Sequence, residues 1–357
     1  MPDVWTEPVR GGYPHPGVLS LPGMERLRRF RMQGSPPPPL FHLTGAEPVR
    51  FGDGTAEAEM PASPWLLNSA GLIGGGTLAI LADIAFGCSI ETQIPAATPY
   101  TTAELSLTFL RPARAGGTLT AAGQAIHLGR TIGLSEVFVL DRDDRLLAHG
   151  TSRLAVLPPQ TDLPAPPEEA QPPAEAWDTP DPYQRRPAPE GVVPQALWQE
   201  LPGGDILAKQ LSGELPAPAI QHLTGMRLGR ASDGAAAMSM PATGWLASPT
   251  GLLQGGTLAM LADSAMQAAV VSTTAPETAV AGLDLKVNFL RPAPADGRDL
   301  EARAEVIHAG RTLAVTRAEI LNADGKAVVL ATGSSMYLRD RPASLGDTEF
   351  PEPLDEP

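Results

Sequence analysis

The chain of 357 residues is long enough for two domains of ordinary size, and with 43% hydrophobic residues it can bury a substantial core in each. A formal net charge of −14 argues against a general nucleic-acid or anionic-membrane binder, which needs broad basic surfaces. It leaves room for an anionic small ligand held by a few local arginines.

Residues 1–40 open with MPDVWTEPVRGGYPHPG, which has no basic stretch followed by an apolar one, and no apolar run in the chain approaches a membrane span. A cytoplasmic location is the expectation. A first domain is expected over 41–157. After HLTG, the alternating stretch DGTAEAEMPA suits a strand following a turn. An Asn-containing loop then runs through glycines into GLIGGGTLAILADIAF (71–86), apolar nearly all round as a buried helix is. The single cysteine, Cys88, follows in the same apolar stretch. It permits no intrachain disulfide and reads as a small core residue. Strand-like runs come next: TAELSLTFLRPA, TLTAAGQAIHLG, TIGLSEVFVLD, a DRDD turn and LLAHGTSRLAVL. The unit is α+β, one strand and one central helix followed by about four antiparallel strands. Residues 158–197 are rich in proline and acidic side chains and read as an extended linker.

A second domain with a lead-in segment is expected over 198–340, because the sequence repeats itself there, and 341–357 form an acidic tail. GLLQGGTLAMLADSAM (251–266) matches residues 71–86 at eleven of sixteen positions, at an offset of 180. FLRPA recurs at 109–113 and 289–293, His42 matches His222, and LPG appears at 21–23 and 201–203. HLGRT (127–131) matches HAGRT (308–312) at an offset of 181. A period this long is a duplicated domain, since solenoid units run to roughly 20–50 residues.

The combination GG-x-Leu-x-x-Leu-x-Asp, then Phe-Leu-Arg-Pro-Ala, then Gly-Arg-Thr, present twice, resembles the hot-dog thioesterases, in particular the PaaI-type (phenylacetyl-CoA) family. The resemblance covers about 41–157 and 221–340. It implies two fused hot-dog domains, each an antiparallel sheet wrapped around a helix, with active sites between them. It also implies an acyl-CoA substrate, no cofactor or metal, and association of two double hot-dogs into a homodimer.

On this resemblance, Gly75 and Gly255 take the position of the glycine whose helix-start N–H polarises the thioester carbonyl. The alternative is that the glycines only permit tight packing of helix on sheet. Asp83 and Asp263 match the catalytic acid, as general base or as nucleophile. A buried carboxylate needs a partner; no Lys or Arg lies within one helical turn of either, and the mid-helix position is expected to exclude N-capping. The position of the family's His holds Gly74 and Gln254, that of its Asn holds Asn68 and Ser248, and that of its hydroxyl residue holds Thr102 and Gly282. One site would combine Asn68, Gly74 and Gly75 with Asp263 and Gly282. The other would combine Ser248, Gln254 and Gly255 with Asp83 and Thr102, and it keeps more of the pattern.

Arg111, Arg130, Arg291 and Arg311 could pair with CoA phosphates or simply solubilise strand ends. His127 and His308 lack metal-ligand companions, and the repeat of His42 and His222 points to the fold. Ile84, Phe86 and Met266 would line an acyl pocket whose specificity is not legible. Two other readings stay open: a catalytically retired acyl-CoA-binding or regulatory double hot-dog, and a hydratase, whose Asp-His pairing is not visible.

Overall fold

The computed structural model describes residues 3–32, 35–168, 177–339 and 341–344. Part of the proline-rich linker (169–176) and of the acidic tail (345–357) lies outside the described residues, as do residue 340 at the end of the second domain and 1–2 and 33–34 of the N-terminal segment.

The first copy contains helices α1 (Gly23–Arg31), α2 (Pro39–Thr44) and α3 (Gly75–Glu91), and strands β1 (Glu47–Gly52), β2 (Thr55–Pro61), β3 (Tyr100–Phe109), β4 (Thr118–Leu128), β5 (Ile132–Leu140) and β6 (Leu146–Val156). After a short helix α4 (Gln195–Glu200), the second copy repeats the series. Its helices are α5 (Gly203–Ser212), α6 (Ala219–Thr224) and α7 (Gly255–Val271), and its strands β7 (Arg227–Ser232), β8 (Ala235–Pro241), β9 (Thr278–Phe289), β10 (Asp299–Ala309), β11 (Leu313–Leu321) and β12 (Ala327–Arg339). Each copy has two strands before its helix where one is expected. The additional strands, β1 and β7, are the two edges of the sheet. Pro48, which cannot donate to a ladder, and a bulge after it hide β1 from a reading by alternation.

All twelve strands form one antiparallel sheet in the order β1-β2-β4-β5-β6-β3-β9-β12-β11-β10-β8-β7. The copies join at β3 and β9, from Glu104 opposite Asn288 to Thr108 opposite Asp284, and Leu105, Leu107, Leu285 and Val287 are fully buried along this seam. The chain is two fused hot-dog units sharing one sheet.

Helices α3 and α7 are buried around nearly their whole circumference because each has the sheet on one side and the other helix opposite. Their closest approach is at Gly76 and Gly256. A side chain on Gly256 would meet Ala79 O and Ile80 Cα at 2.5 Å; one on Gly76 would meet Met260 Cα and Asp263 Cβ at 2.7 Å. Gly76 and Gly256 thus permit tight packing of helix against helix, whereas a side chain on Gly75 would begin 2.4 Å from the Phe109 ring of β3, so that glycine permits tight packing of helix on sheet.

The repeated LPG motif starts α1 and α5. Gly23 N–H donates to Ile94 O (2.9 Å) and Gly203 N–H to Thr274 O (3.1 Å), docking each helix start just past the end of α3 or α7. A side chain on Gly23 or Gly203 would collide with Glu91 O or Val271 O.

A further correspondence joins two straps. Short 3-10 turns at Val4–Thr6 and Pro182–Gln184 follow Asp3 and Asp181, an offset of 178. Asp3 binds His222 Nδ1 at 2.6 Å and Asp181 binds His42 Nδ1 at 3.0 Å. Four residues on, Glu7 O accepts from Trp245 Nε1 (3.2 Å) and Arg185 O from Trp65 Nε1 (2.7 Å). The linker is therefore docked where it is described, and the repeated histidines serve these straps. Glu7 and Arg185 occupy matching positions and pair with each other through two bonds of 2.6 and 2.8 Å. A half-buried bidentate pair of this kind contributes on the order of 1–2 kcal/mol. Arg185→Ala is expected to lower the melting temperature in thermal denaturation, and the charge swap Glu7→Arg with Arg185→Glu to recover part of the loss.

Candidate active site

Asp83 and Asp263 sit in the middle of α3 and α7, 7% and 5% exposed. Among the described residues neither carboxylate forms an ion pair. Each instead accepts a hydrogen bond from the start of the other helix: Gly256 N–H donates to Asp83 Oδ2 (3.1 Å) and Gly76 N–H to Asp263 Oδ2 (2.7 Å). Neither helix has a capping side chain of its own at Gly74 or Gln254. This corrects the expectation that a mid-helix position excludes N-capping: each aspartate caps the neighbouring helix, satisfying one of the free N–H groups of its first turn.

The second carboxylate oxygen is held differently in the two copies. Thr102, on β3, donates its hydroxyl to Asp83 Oδ1 at 2.9 Å. At the matching place on β9 stands Gly282, which has no side chain to donate. Gln267, one turn after Asp263 on α7, places Nε2 3.4 Å from Asp263 Oδ1 and 3.3 Å from Ser335 Oγ. A side chain on Gly282 would lie 3.1 Å from that Nε2. Gln267 and Ser335 are absent from the expected site. The signal was an exchange at matching positions, Gly87 with Thr102 in one copy and Gln267 with Gly282 in the other.

Burial raises both carboxyls. Asp83 is pushed up to about 6 against the opposing hydrogen bonds from Thr102 and the N–H groups of Gly256 and Gly255. Asp263 is raised by burial against Gly76 N–H and Gln267. The folded-state value of Asp83 lies above the ordinary 3.8, so the native protein holds the extra proton between these two pH values and stability falls as pH rises through them. Above about pH 6 the whole cost is present, on the order of 3 kcal/mol at about 1.4 kcal/mol per unit. Asp83→Asn is therefore expected to melt higher than the parent at pH 7.5, an advantage that disappears near pH 4; thermal scans at both values check this.

Gly75 and Gly255 are the first residues of α3 and α7. The Gly75 N–H finds no acceptor among the described residues, and the Phe109 ring packs directly on this glycine. At Gly255 the neighbours are Asp83 Oδ2 and the ring of Phe289. A side chain at Gly74 would begin in ordinary contact, 3.9 Å from Asn68 Nδ2 and Thr77 Oγ1. Asn68 Oδ1 accepts from Ala70 N–H and Leu72 N–H, and Ser248 Oγ from Thr250 N–H, so both residues shape the loop entering their helix. Gln254 Nε2 donates to Ile80 O (3.0 Å), and the group left buried without a partner is Oε1.

The structure thus brings together Gly75, Gly282 and Asp263 with Phe109, and Gly255, Gln254, Thr102 and Asp83 with Phe289. The arginines are elsewhere in role. Arg111 and Arg291 donate to Leu146 O and Ala327 O, tying the loops after β3 and β9 to β6 and β12. Arg130 and Arg311 are exposed in hairpin turns and form no ion pair among the described residues. Cys88 is half-buried with its thiol pushed up by burial, which does not suit a nucleophile. Among the described residues no cluster of His, Cys, Asp or Glu could hold a metal, and no helix is long and apolar enough to cross a membrane.

The thioesterase superfamily model matches residues 70–148 and again 250–329. The acyl-coenzyme A thioesterase PaaI of Escherichia coli (strain K12) is 31% identical over 104 residues, spanning 29% of this chain and 72% of that protein. Among solved structures, the acyl-CoA thioesterase II TesB2 of Mycobacterium marinum superposes with a TM-score of 0.52 at 13% identity, covering 84% of this chain and 98% of the other. The tesB protein of Mycobacterium avium subs paratuberculosis gives 0.51 at 16% identity, covering 82% and 96%. At these identities the structural likeness is one of fold.

Proposed function

The chain belongs to the thioesterase superfamily, and on that premise we propose that it hydrolyses acyl-CoA thioesters to the free acid and CoA at two pockets along the α3–α7 contact. One observation carries the reading: each helix-borne carboxylate binds the N–H immediately after the helix-start glycine of the other copy. A thioester oxygen taking the free N–H of Gly75 then has its carbonyl carbon beside Asp263; in the other pocket the Gly255 N–H faces Asp83 and would pass from that carboxylate to the substrate oxygen. At each pocket the helix start favours the negative charge that develops on that oxygen.

The magnitudes support a functional acid. A helix cap is worth about 1 kcal/mol, and asparagine would supply it without charge, whereas keeping Asp83 ionised costs on the order of 3 kcal/mol. Both carboxylate oxygens carry hydrogen-bond donors, which blunts direct attack and suits removal of a proton from water. Water oxygen bonds to the carbonyl carbon as Asp takes its proton; the C–S bond then breaks, and the CoA thiolate leaves with that proton. Thr102 orients Asp83 for this step.

The rising limb of the pH–rate profile of the Asp83 pocket is expected near pH 6, because the base must be ionised. Ile126, Ile132 and Phe138, and in the second copy Ile307, Leu313 and Leu330, are exposed apolar side chains on the sheet, which supports a homodimer of double hot-dogs. Thiol release from short, long and aromatic acyl-CoAs tests the function. Binding of thioesters without release of CoA at any chain length would leave a retired binding protein instead.

A further inference from the structure

We infer that Gln267 is the positioning residue of the Asp263 pocket, doing from the helix what Thr102 does for Asp83 from the strand, so that both pockets turn over. The inference rests on the thioesterase reading above. Three positions have changed together between the copies. Around Asp83 they are Gly87, Thr102 and Leu154; around Asp263 they are Gln267, Gly282 and Ser335. The strand residues correspond in space as well, Thr102 lying opposite Leu154 and Gly282 opposite Ser335 in their ladders.

Each replacement makes sense only with the others. Gly282 removes the hydroxyl, and the room it leaves holds the Gln267 amide, since a side chain there would begin 3.1 Å from Nε2. Ser335, 2% exposed, gives Nε2 a second acceptor at 3.3 Å, which fixes the amide plane so that one N–H faces Asp263 Oδ1. The opposite end of the amide, Oε1, accepts from no donor among the described residues. A hydroxyl donates to the acid and keeps lone pairs for water; the glutamine divides the same two tasks between Nε2 and Oε1. A side chain retained only for packing would need neither Ser335 nor the missing Cβ at 282.

The test uses the full chain carrying Asp83→Asn, so that only the Asp263 pocket can work. In that background Gln267→Met, which keeps volume without a donor, is expected to lower kcat about 10–100-fold with little change in KM, in the range of lost proton-transfer positioning. The rising pH limb should move to higher pH, because a hydrogen bond to the ionised acid has gone. Gln267→Gly with Gly282→Thr, which rebuilds the Thr102 arrangement, should recover most of kcat and return the limb. Melting curves of each variant establish that it is folded. Unchanged kcat and pH limb in Gln267→Met, failure of the folded transplant to recover activity, or an inactive Asp83→Asn parent would each overturn the inference while leaving the function standing. A wild-type chain that releases no thiol from any acyl-CoA would overturn the function itself.

Discussion

Asp83→Asn combined with Asp263→Asn is expected to reduce acyl-CoA hydrolysis by about a thousandfold or more, while either substitution alone removes the share of one pocket. Asparagine keeps an oxygen for the Gly256 or Gly76 N–H, so the reciprocal helix caps survive and the double variant should fold. It also removes two buried charges held against their desolvation cost, and should therefore melt higher than the parent at neutral pH. Lost activity with gained stability separates a catalytic acid from a structural one, since loss of a structural acid would lower both. Thiol-release kinetics with thermal scans on the same preparations decide it; a double variant that is less stable and still active would place the carboxylates in the architecture alone.

Gly256→Ala is expected to destabilise the protein by about 3 kcal/mol or more and to silence the Asp83 pocket. Alanine would ordinarily favour a helix by nearly 1 kcal/mol over glycine. Here its methyl would sit 2.5 Å from Ala79 O and Ile80 Cα, backbone atoms that cannot rotate away, so α3 and α7 must separate. Separation lengthens the Gly256 N–H bond to Asp83 and moves the helix start away from the acid. Gly74→Ala is the control for stability: its nearest neighbours are 3.9 Å away, and the melting temperature should be preserved. Thermal denaturation of the two variants and thiol release by Gly256→Ala report the outcome, and an unperturbed Gly256→Ala would mean the helices do not touch there.

The repeat, the central helices and the two acids were legible because they depend on local pattern: an apolar stretch with one carboxylate, and strands whose alternation meets a single sheet. The DRDD turn was legible too, and its counterpart in the second copy is NADGK (322–326). In the structure Asp141 and Asn322 each accept two backbone N–H bonds across their turn. What stayed hidden depends on which copy faces which. The cap that each aspartate makes lies 173 and 187 residues away in sequence. Gln267 carries no motif, and its role emerges only once Gly282 and Ser335 are seen beside it. The two straps share little beyond Asp3 and Asp181, because what they conserve is a backbone carbonyl delivered to an indole.

Those straps also bear on how the tandem is built. The one preceding the first copy grips the second, at His222 and Trp245, and the one preceding the second grips the first, at His42 and Trp65. This is an exchange of arms, the arrangement two separate chains would need to hold each other as equals, with Glu7 and Arg185 as the handshake across the axis. The covalent connection between copies is then topologically dispensable. Cleavage between Trp177 and Asp178 should leave two fragments, each keeping its own arm, that remain associated and active.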